Sequence, residues 1–246
     1  MALQENSLIR RIKILCWVGL STPFYSTLCI IGAFVWRRMA VFCEIAWHKQ
    51  LLAVCGVKVV THGFQKLKKE GQYIFIGNHS SYLDIPVIVA ATGRAVRFIA
   101  KRELFMIPFM GWGMAAVGHI QIDRSNARKA RLSLTRAARA INRRKISVVL
   151  FPEGTRSVDG SVGQFKQGSF TLALEAGIPV VPIALVGMRE IFPKHSAIVR
   201  KGTVQVYFGD PIMPETLATL DKKEITQKVH DEIVAMVATG AGSQGK

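Results

Sequence analysis

Residues 73–84 read YIFIGNHSSYLD, and this pattern is the clearest guide to the fold. A short run of aromatic and β-branched residues is followed at once by glycine and polar residues, which predicts a strand that ends in a loop. Six further short β-branched runs have the same character. The seven predicted strands are residues 57–61, 73–76, 96–100, 119–123, 147–151, 179–186 and 203–208.

Segments with helical periodicity separate several of these strands, notably residues 125–145, 165–176 and 215–238. Alternating strands and helices predict the α/β class. We therefore expect one α/β domain over residues 57–238, with a mixed, mostly seven-stranded sheet flanked by helices and a flexible tail over residues 239–246. In such sheets the loops that leave the carboxyl ends of strands carry the chemistry.

The N-terminal part differs from the rest because residues 14–36 contain no charge over 23 positions. As a helix this segment would measure roughly 34 Å, enough to cross a membrane core. Basic residues flank both ends, so orientation is not defined. Pro23 permits a kinked helix that enters one leaflet and returns, and the spanning and re-entrant alternatives both stay open. With a second apolar segment at 39–57, residues 1–56 predict a two-helix membrane anchor, the alternative being two buried core helices.

The composition requires an anionic partner. The 246 residues include 33 Lys and Arg against 16 Asp and Glu, a net charge of +17, although half of all residues are hydrophobic. Such a chain is not disordered, and its charge suits nucleic acid or an anionic membrane. A nucleic-acid-binding protein would not explain the apolar N-terminal segment, so we favour a lipid surface. Four cysteines without a C-x-x-C pair indicate a reducing compartment.

The loop at 77–84 (GNHSSYLD) offers a histidine and a carboxylate five residues apart. If a helix begins near Ser80 or Ser81, Asp84 can reach back to His79, fix its tautomer and leave the other ring nitrogen free to accept a proton from an alcohol. Alternatively, Ser81-x-x-Asp84 is only a capping box. A metal site is disfavoured because no third ligand is evident.

The loop at 151–157 (FPEGTRS) follows another predicted strand. Arg156 carries a planar fork that suits phosphate, and Glu153 can accept a hydrogen bond from a hydroxyl group or steady that guanidinium. Taken alone, this loop is better explained as a surface turn with an incidental ion pair.

Together the two loops resemble the first and third signature blocks of the glycerolipid acyltransferase family, in particular the bacterial lysophosphatidic acid acyltransferases. Residues 98–104 (FIAKREL) and 118–124 (GHIQIDR) are similar to the second region of that family, and residues 181–184 (VPIA) to the fourth. The resemblance covers roughly residues 58–210. Gln121 departs from the pattern, since the family usually has an aromatic residue there.

The resemblance implies transfer of a fatty acyl group from a thioester, on coenzyme A or acyl carrier protein, to the sn-2 hydroxyl of lysophosphatidic acid. His79 would be the general base and Asp84 would orient it. Arg156 would hold the acceptor phosphate, and Glu153 would position the glycerol. The helix start after His79 is a candidate source of N–H donors for the thioester oxyanion.

Other predicted substrate-binding residues are Gly154 and Thr155 in the same loop, and Arg124 and Lys101 as secondary contacts for the phosphate. No cofactor or metal is expected. The expected partners are the lysophospholipid, the acyl thioester and anionic membrane lipids, without nucleic acid, at the inner membrane with the catalytic domain facing the cytoplasm. The alternatives are a related enzyme for glycerol-3-phosphate, a lyso-ornithine lipid or another lysophospholipid, and a noncatalytic basic membrane or nucleic-acid-binding protein.

Overall fold

The computed structural model describes residues 2–122 and 127–244. Its strands are β1 (Val57–His62), β2 (Ile74–Gly77), β3 (Val96–Lys101), β4 (Ile120–Ile122), β5 (Ser147–Leu150), β6 (Val180–Val186) and β7 (Gly202–Phe208). Its α-helices are α1 (Ala2–Val35), α2 (Arg37–Cys55), α3 (Asp84–Thr92), α4 (Arg102–Phe105), α5 (Met110–Val117), α6 (Ala127–Arg144), α7 (Gly168–Ala176), α8 (Met188–Ile191), α9 (Pro214–Thr219) and α10 (Lys222–Gln244).

All seven strands form one mixed sheet in the order β1-β7-β6-β2-β5-β3-β4. Neighbouring strands pair in parallel except β6 and β7, which are antiparallel. Five strands, from β6 to β4, therefore point the same way, and their carboxyl ends meet at one edge. The predicted α/β class and seven strands are confirmed.

Successive residues of the central strands alternate between two apolar cores, one on each face of the sheet. Phe75 and Val149 pack with α2 and α3, whereas Ile74 and Val148 pack with α6, α7 and α10. These strands are apolar on both faces because helices cover both, as is usual where parallel strands dominate.

The C-terminal region differs from the prediction of one helix at 215–238. The chain forms α9 and α10 instead, because Asp221 starts a new helix: its carboxylate accepts hydrogen bonds from the N–H groups of Lys223 (2.7 Å) and Glu224 (2.8 Å). The Glu224 side chain returns a bond to the Asp221 N–H, which completes a capping box. Helix α10 continues to Gln244, so the segment expected to be a tail from residue 239 is helical over its first six residues.

The N-terminal helices form an antiparallel hairpin that packs on the domain. Helix α1 continues through Pro23 as one helix. Trp17 stacks on Trp47 at 6.2 Å, and the Trp47 indole N–H donates to Ser21 Oγ at 3.1 Å. Near the hairpin turn, Cys29 and Ala40 share a small apolar cluster. The stretch Leu8–Val35 is long and apolar enough to cross a membrane.

A buried charge cluster joins α2 to the sheet. Glu44 of α2 pairs with Arg97 of β3, and His119 Nε2 lies 3.0 Å from the other carboxylate oxygen of Glu44. Burial raises the pKa of Glu44, but the His119 hydrogen bond and the Arg97 charge outweigh it and lower that pKa to about 2. His48 lies beside them, and burial lowers its pKa to about 4. The cluster fixes the hairpin relative to β3.

Candidate active site

The loop after β2 folds around the carboxylate of Asp84. Its Oδ2 accepts hydrogen bonds from the backbone N–H groups of Ser80 (2.9 Å) and Ser81 (3.0 Å) and from His79 Nδ1 (2.5 Å). Helix α3 begins at Asp84 itself rather than near Ser80 or Ser81, and the Asp84 side chain still reaches back to His79. The side chain of Asp84 occupies the N–H groups of Ser80 and Ser81, which are therefore not available as donors to an oxyanion.

The pairing determines which nitrogen of His79 can do chemistry. Asp84 has no solvent exposure, so its carboxylate is held beside Nδ1 and keeps the proton on that nitrogen. The His79 ring stacks on Phe151 at 4.3 Å, and 23% of its side chain remains exposed. Among residues 2–122 and 127–244, none forms a hydrogen bond with Nε2. This nitrogen is thus open to accept a proton from a substrate.

The loop after β5 holds the backbone of His79 from both sides. Glu153 Oε1 accepts from the His79 N–H at 2.8 Å, and the Ser157 N–H donates to the His79 carbonyl at 2.7 Å. Glu153 is only 7% exposed, and burial raises its pKa, partly offset by hydrogen bonds from the backbone of His79 and Gly163. Glu153 therefore faces the His79 loop, and the described contacts include no ion pair between it and Arg156.

Arg156 is held in place by an aromatic ring and keeps an unused hydrogen-bond donor. Its guanidinium carbon lies 3.4 Å from the ring centroid of Tyr82, which in turn packs against Phe192 at 5.6 Å. Arg156 Nη1 is buried and makes no hydrogen bond within the described part of the chain. Lys194 Nζ donates to the Arg156 carbonyl at 2.8 Å and lies 3.3 Å from Thr155 Oγ1. Two cations and an unused guanidinium donor make this corner suited to an anion.

The remaining predicted residues differ in how they reach the site. Gly154 occupies the left-handed region at φ +72°, which lets the loop turn sharply after Phe151. Lys101 is exposed at the carboxyl end of β3, on the same sheet edge as His79, and no described contact joins it to His79 or Arg156. Arg124 lies outside the described residues.

Sequence reasoning missed three residues of this corner: Tyr82, Phe192 and Lys194. Tyr82 stands inside the His79 motif, so a signal for it existed. Phe192 and Lys194 lie far along the chain, and only the position of β6 beside β2 brings them near.

With this geometry in place, comparison with known proteins identifies the family. An acyltransferase family model matches residues 58–186, slightly more than half of the chain. The chain belongs to the acyltransferase family. Relatives within that family include a chloroplastic 1-acyl-sn-glycerol-3-phosphate acyltransferase of Arabidopsis thaliana, 34% identical over 84% of this chain. Another, from Brassica napus, is 40% identical over 56% of this chain.

The chain spans 60% of the length of the Arabidopsis relative and 40% of the Brassica relative. Among solved structures, the crystal structure of the 1-acyl-sn-glycerophosphate (LPA) acyltransferase PlsC from Thermotoga maritima has the same fold. It superposes with a TM-score of 0.84, at 24% identity, over 96% of both chains. The family resemblance of the four sequence blocks is therefore confirmed, and the acyltransferase fold extends to the N-terminal hairpin.

Proposed function

We propose that the protein is a 1-acylglycerol-3-phosphate O-acyltransferase, which moves a fatty acyl group from an acyl thioester to the sn-2 hydroxyl of lysophosphatidic acid. One observation carries this proposal: His79 and Arg156 lie on adjoining loops. His79 has an open Nε2 while buried Asp84 holds its Nδ1, and Arg156 has a guanidinium N–H free to bind an anion. The curated relatives bear the same activity in their names.

The reaction needs a base but no covalent nucleophile, because a thioester is already activated. His79 Nε2 removes the proton from the acceptor hydroxyl as its oxygen attacks the thioester carbonyl carbon. The carbon–sulfur bond of the tetrahedral intermediate then breaks, and the imidazolium returns the proton to the departing thiolate. The products are phosphatidic acid and a free thiol. Asp84 stabilises the imidazolium throughout, since its carboxylate is in contact with Nδ1.

The acceptor phosphate would bind at the Arg156 corner. Arg156 supplies the unused guanidinium donor, and Lys194 adds a second positive charge beside it. Lys101, at the carboxyl end of β3, is proposed as a secondary contact for the phosphate, as is Arg124, which lies outside the described residues. Gly154 and Thr155 form the turn that presents Arg156.

We assign Glu153 a positioning role. Its contact with the His79 N–H supports a function in fixing the base rather than in binding the glycerol directly. Because the carboxylate is almost fully buried, its effect on the acceptor is exerted through the loop that it holds.

The alternative acceptors are glycerol-3-phosphate, a lyso-ornithine lipid and other lysophospholipids. The unpartnered donor of Arg156 favours a phosphate monoester over a phosphate-free lipid, because a buried guanidinium nitrogen without an anion is costly. A noncatalytic basic membrane or nucleic-acid-binding protein would have no use for the His79–Asp84 pair, so we set that class aside.

We further propose that the hairpin lies in one leaflet of the inner membrane, with the catalytic domain on the cytoplasmic side. Helix α1 packs along α2 from Trp17 to Cys29, which favours the re-entrant alternative over a span that leaves the domain. Its outward side exposes large apolar side chains such as Leu20 (78%), Phe24 (60%) and Phe34 (88%). Such a surface suits the acyl region beneath anionic headgroups.

An acceptor panel tests the assignment. Purified full-length protein in detergent receives an acyl thioester with lysophosphatidic acid, glycerol-3-phosphate, a lyso-ornithine lipid or a lysophospholipid that carries a larger headgroup. We expect the highest kcat/KM with lysophosphatidic acid, and we expect Arg156→Met to remove most of that preference while Arg156→Lys keeps part of it. Equal turnover of phosphate-bearing and phosphate-free acceptors by the unmodified enzyme would overturn the proposal.

A further inference from the structure

A groove of about 460 Å³ lies between α6 and β4, the edge strand of the sheet. Gln121 of β4 lines it from one side, and Ser133, Arg136 and Arg144 of α6 line it from the other. Arg102, which follows the carboxyl end of β3, lines the groove at the carboxyl edge of the sheet. The groove thus leads from the flank of the domain toward the sheet edge that carries His79.

The groove is strongly basic. Among the described residues, none of its three arginines, Arg102, Arg136 and Arg144, forms a salt bridge with a carboxylate. Helix α6 contains no Asp or Glu over its whole length. Arg144 Nη1 lies 2.9 Å from where a Cβ on Gly118 would stand, so this guanidinium lies against the backbone just before β4. Positive charges that lie together without counter-charges from the described residues favour a ligand that carries several negative charges.

The shape and place of the groove favour phosphate groups of a soluble molecule over a lipid surface. Helix α6, which forms one wall of the groove, packs on the face of the sheet opposite to α2, which holds α1. The groove is concave, and arginine forks bind phosphate oxygens in pairs. A bulky carrier protein would instead contact the convex side of α6, where Arg139 and Arg143 are exposed.

The groove lies within reach of the reaction centre. Three strand spacings, roughly 14 Å, separate β4 from β2, the strand that leads into His79. An extended pantetheine arm covers such a distance, and it would run along the carboxyl edge of the sheet past Arg102. We propose that this groove binds the nucleotide phosphates of an acyl-coenzyme A donor while the arm delivers the thioester to His79. The inference rests on the proposed acyl transfer.

Matched double variants of α6 test the proposal. Arg136→Gln with Arg144→Gln removes two charges inside the groove, and Arg139→Gln with Arg143→Gln removes two from the same helix outside it. With acyl-coenzyme A, we expect the groove variant to raise the donor KM by about tenfold or more, because each lost contact is a charge-assisted hydrogen bond. Its kcat and its KM for lysophosphatidic acid stay unchanged, and the control variant changes the donor KM by less than about twofold.

A donor without the 3′-phosphate sharpens the test. With acyl-dephospho-coenzyme A, the difference in KM between the groove variant and the unmodified enzyme should shrink, because part of the lost interaction is already absent. Equal effects of the two double variants would overturn the proposal, as would a groove variant that weakens only an acyl carrier protein donor.

Direct binding separates this inference from the proposed reaction. Adenosine 3′,5′-bisphosphate titrated calorimetrically into the full-length protein should bind the unmodified protein and the control variant, and should bind the groove variant at least about tenfold more weakly. Undiminished binding to the groove variant would refute the site even if acyl transfer is established. A different outcome is that the groove variant loses binding while the unmodified protein shows no acyl transfer. That outcome would support the phosphate site and exclude the proposed function.

Discussion

Replacing Asp84 by Asn tests how the site activates its base. Asp84 is fully buried and accepts three hydrogen bonds at one oxygen, one of them from His79 Nδ1. Asn keeps an acceptor for the backbone N–H groups of Ser80 and Ser81 but loses the negative charge. The imidazolium that forms during proton transfer then lacks its counter-charge.

The expected loss follows from that one contact. A hydrogen bond to a charged group contributes about 1.5–3 kcal/mol, and each 1.4 kcal/mol in an activation barrier is a factor of ten in rate. We therefore expect kcat to fall about ten- to a hundredfold. KM for both substrates should stay near its original value, because buried Asp84 touches neither of them.

Steady-state kinetics of Asp84→Asn, His79→Ala and the double variant provide the assay, with thermal unfolding as the control for folding. If Asp84 acts through His79, its replacement costs nothing further in the His79→Ala background. A stably folded Asp84→Asn enzyme that keeps more than half of the original kcat would show that the Asp84 charge does not assist the base. A further loss of kcat in the double variant, equal to the loss that Asp84→Asn causes alone, would show that Asp84 does not act through His79.

Three further predictions concern the phosphate corner, the hairpin and the buried histidine. Tyr82→Leu removes the ring beneath Arg156 and should raise KM for lysophosphatidic acid about three- to thirtyfold. Tyr82→Phe keeps the ring and should leave this KM near its original value. Equal kinetics of both variants would contradict the role of the ring. Leu20→Ser with Phe34→Ser should weaken binding to anionic vesicles at least about tenfold in a sedimentation assay. Val234→Ser, on the exposed side of α10, serves as the control. Unchanged binding of the double variant would exclude this surface as the membrane contact. Burial holds the pKa of His48 at about 4 in the folded protein, below the value of 6.5 in the unfolded chain. Between pH 6.5 and pH 4 the unfolded state therefore binds more protons, so the free energy of unfolding falls as the pH drops through this range. Chemical unfolding should show that His48→Met removes a slope of about 1.4 kcal/mol per pH unit, and an unchanged slope would contradict this assignment.

Much of the fold could be predicted because strand signals are local. The run 73–76 and its counterpart 147–151 are apolar, β-branched and followed by glycine or proline, so each needs no distant information to be placed. The same locality placed His79 and Asp84 together, since they are separated by one short turn. The division of residues 215–238 was missed because the Asp221–Glu224 capping box lies inside a continuous helical pattern.

The rest of the site depends on strand order, which the sequence does not specify locally. Glu153 reaches the His79 N–H only because β5 lies directly beside β2, and Lys194 reaches the Arg156 carbonyl because β6 lies on the other side of β2. The buried Glu44–Arg97 pair is similar, because it joins α2 to a strand more than fifty positions away. Charged residues in such positions look like ordinary surface residues until their partners are known.

The most direct test of His79 as the catalytic base measures phosphatidic acid made from lysophosphatidic acid and an acyl thioester by the unmodified enzyme and by His79→Ala, both shown to be folded. We expect rapid formation by the unmodified enzyme and a loss of at least a hundredfold in kcat on removal of the base, with KM for the acceptor largely retained. Phosphatidic acid formation by folded His79→Ala at the original rate would exclude His79 as the catalytic base.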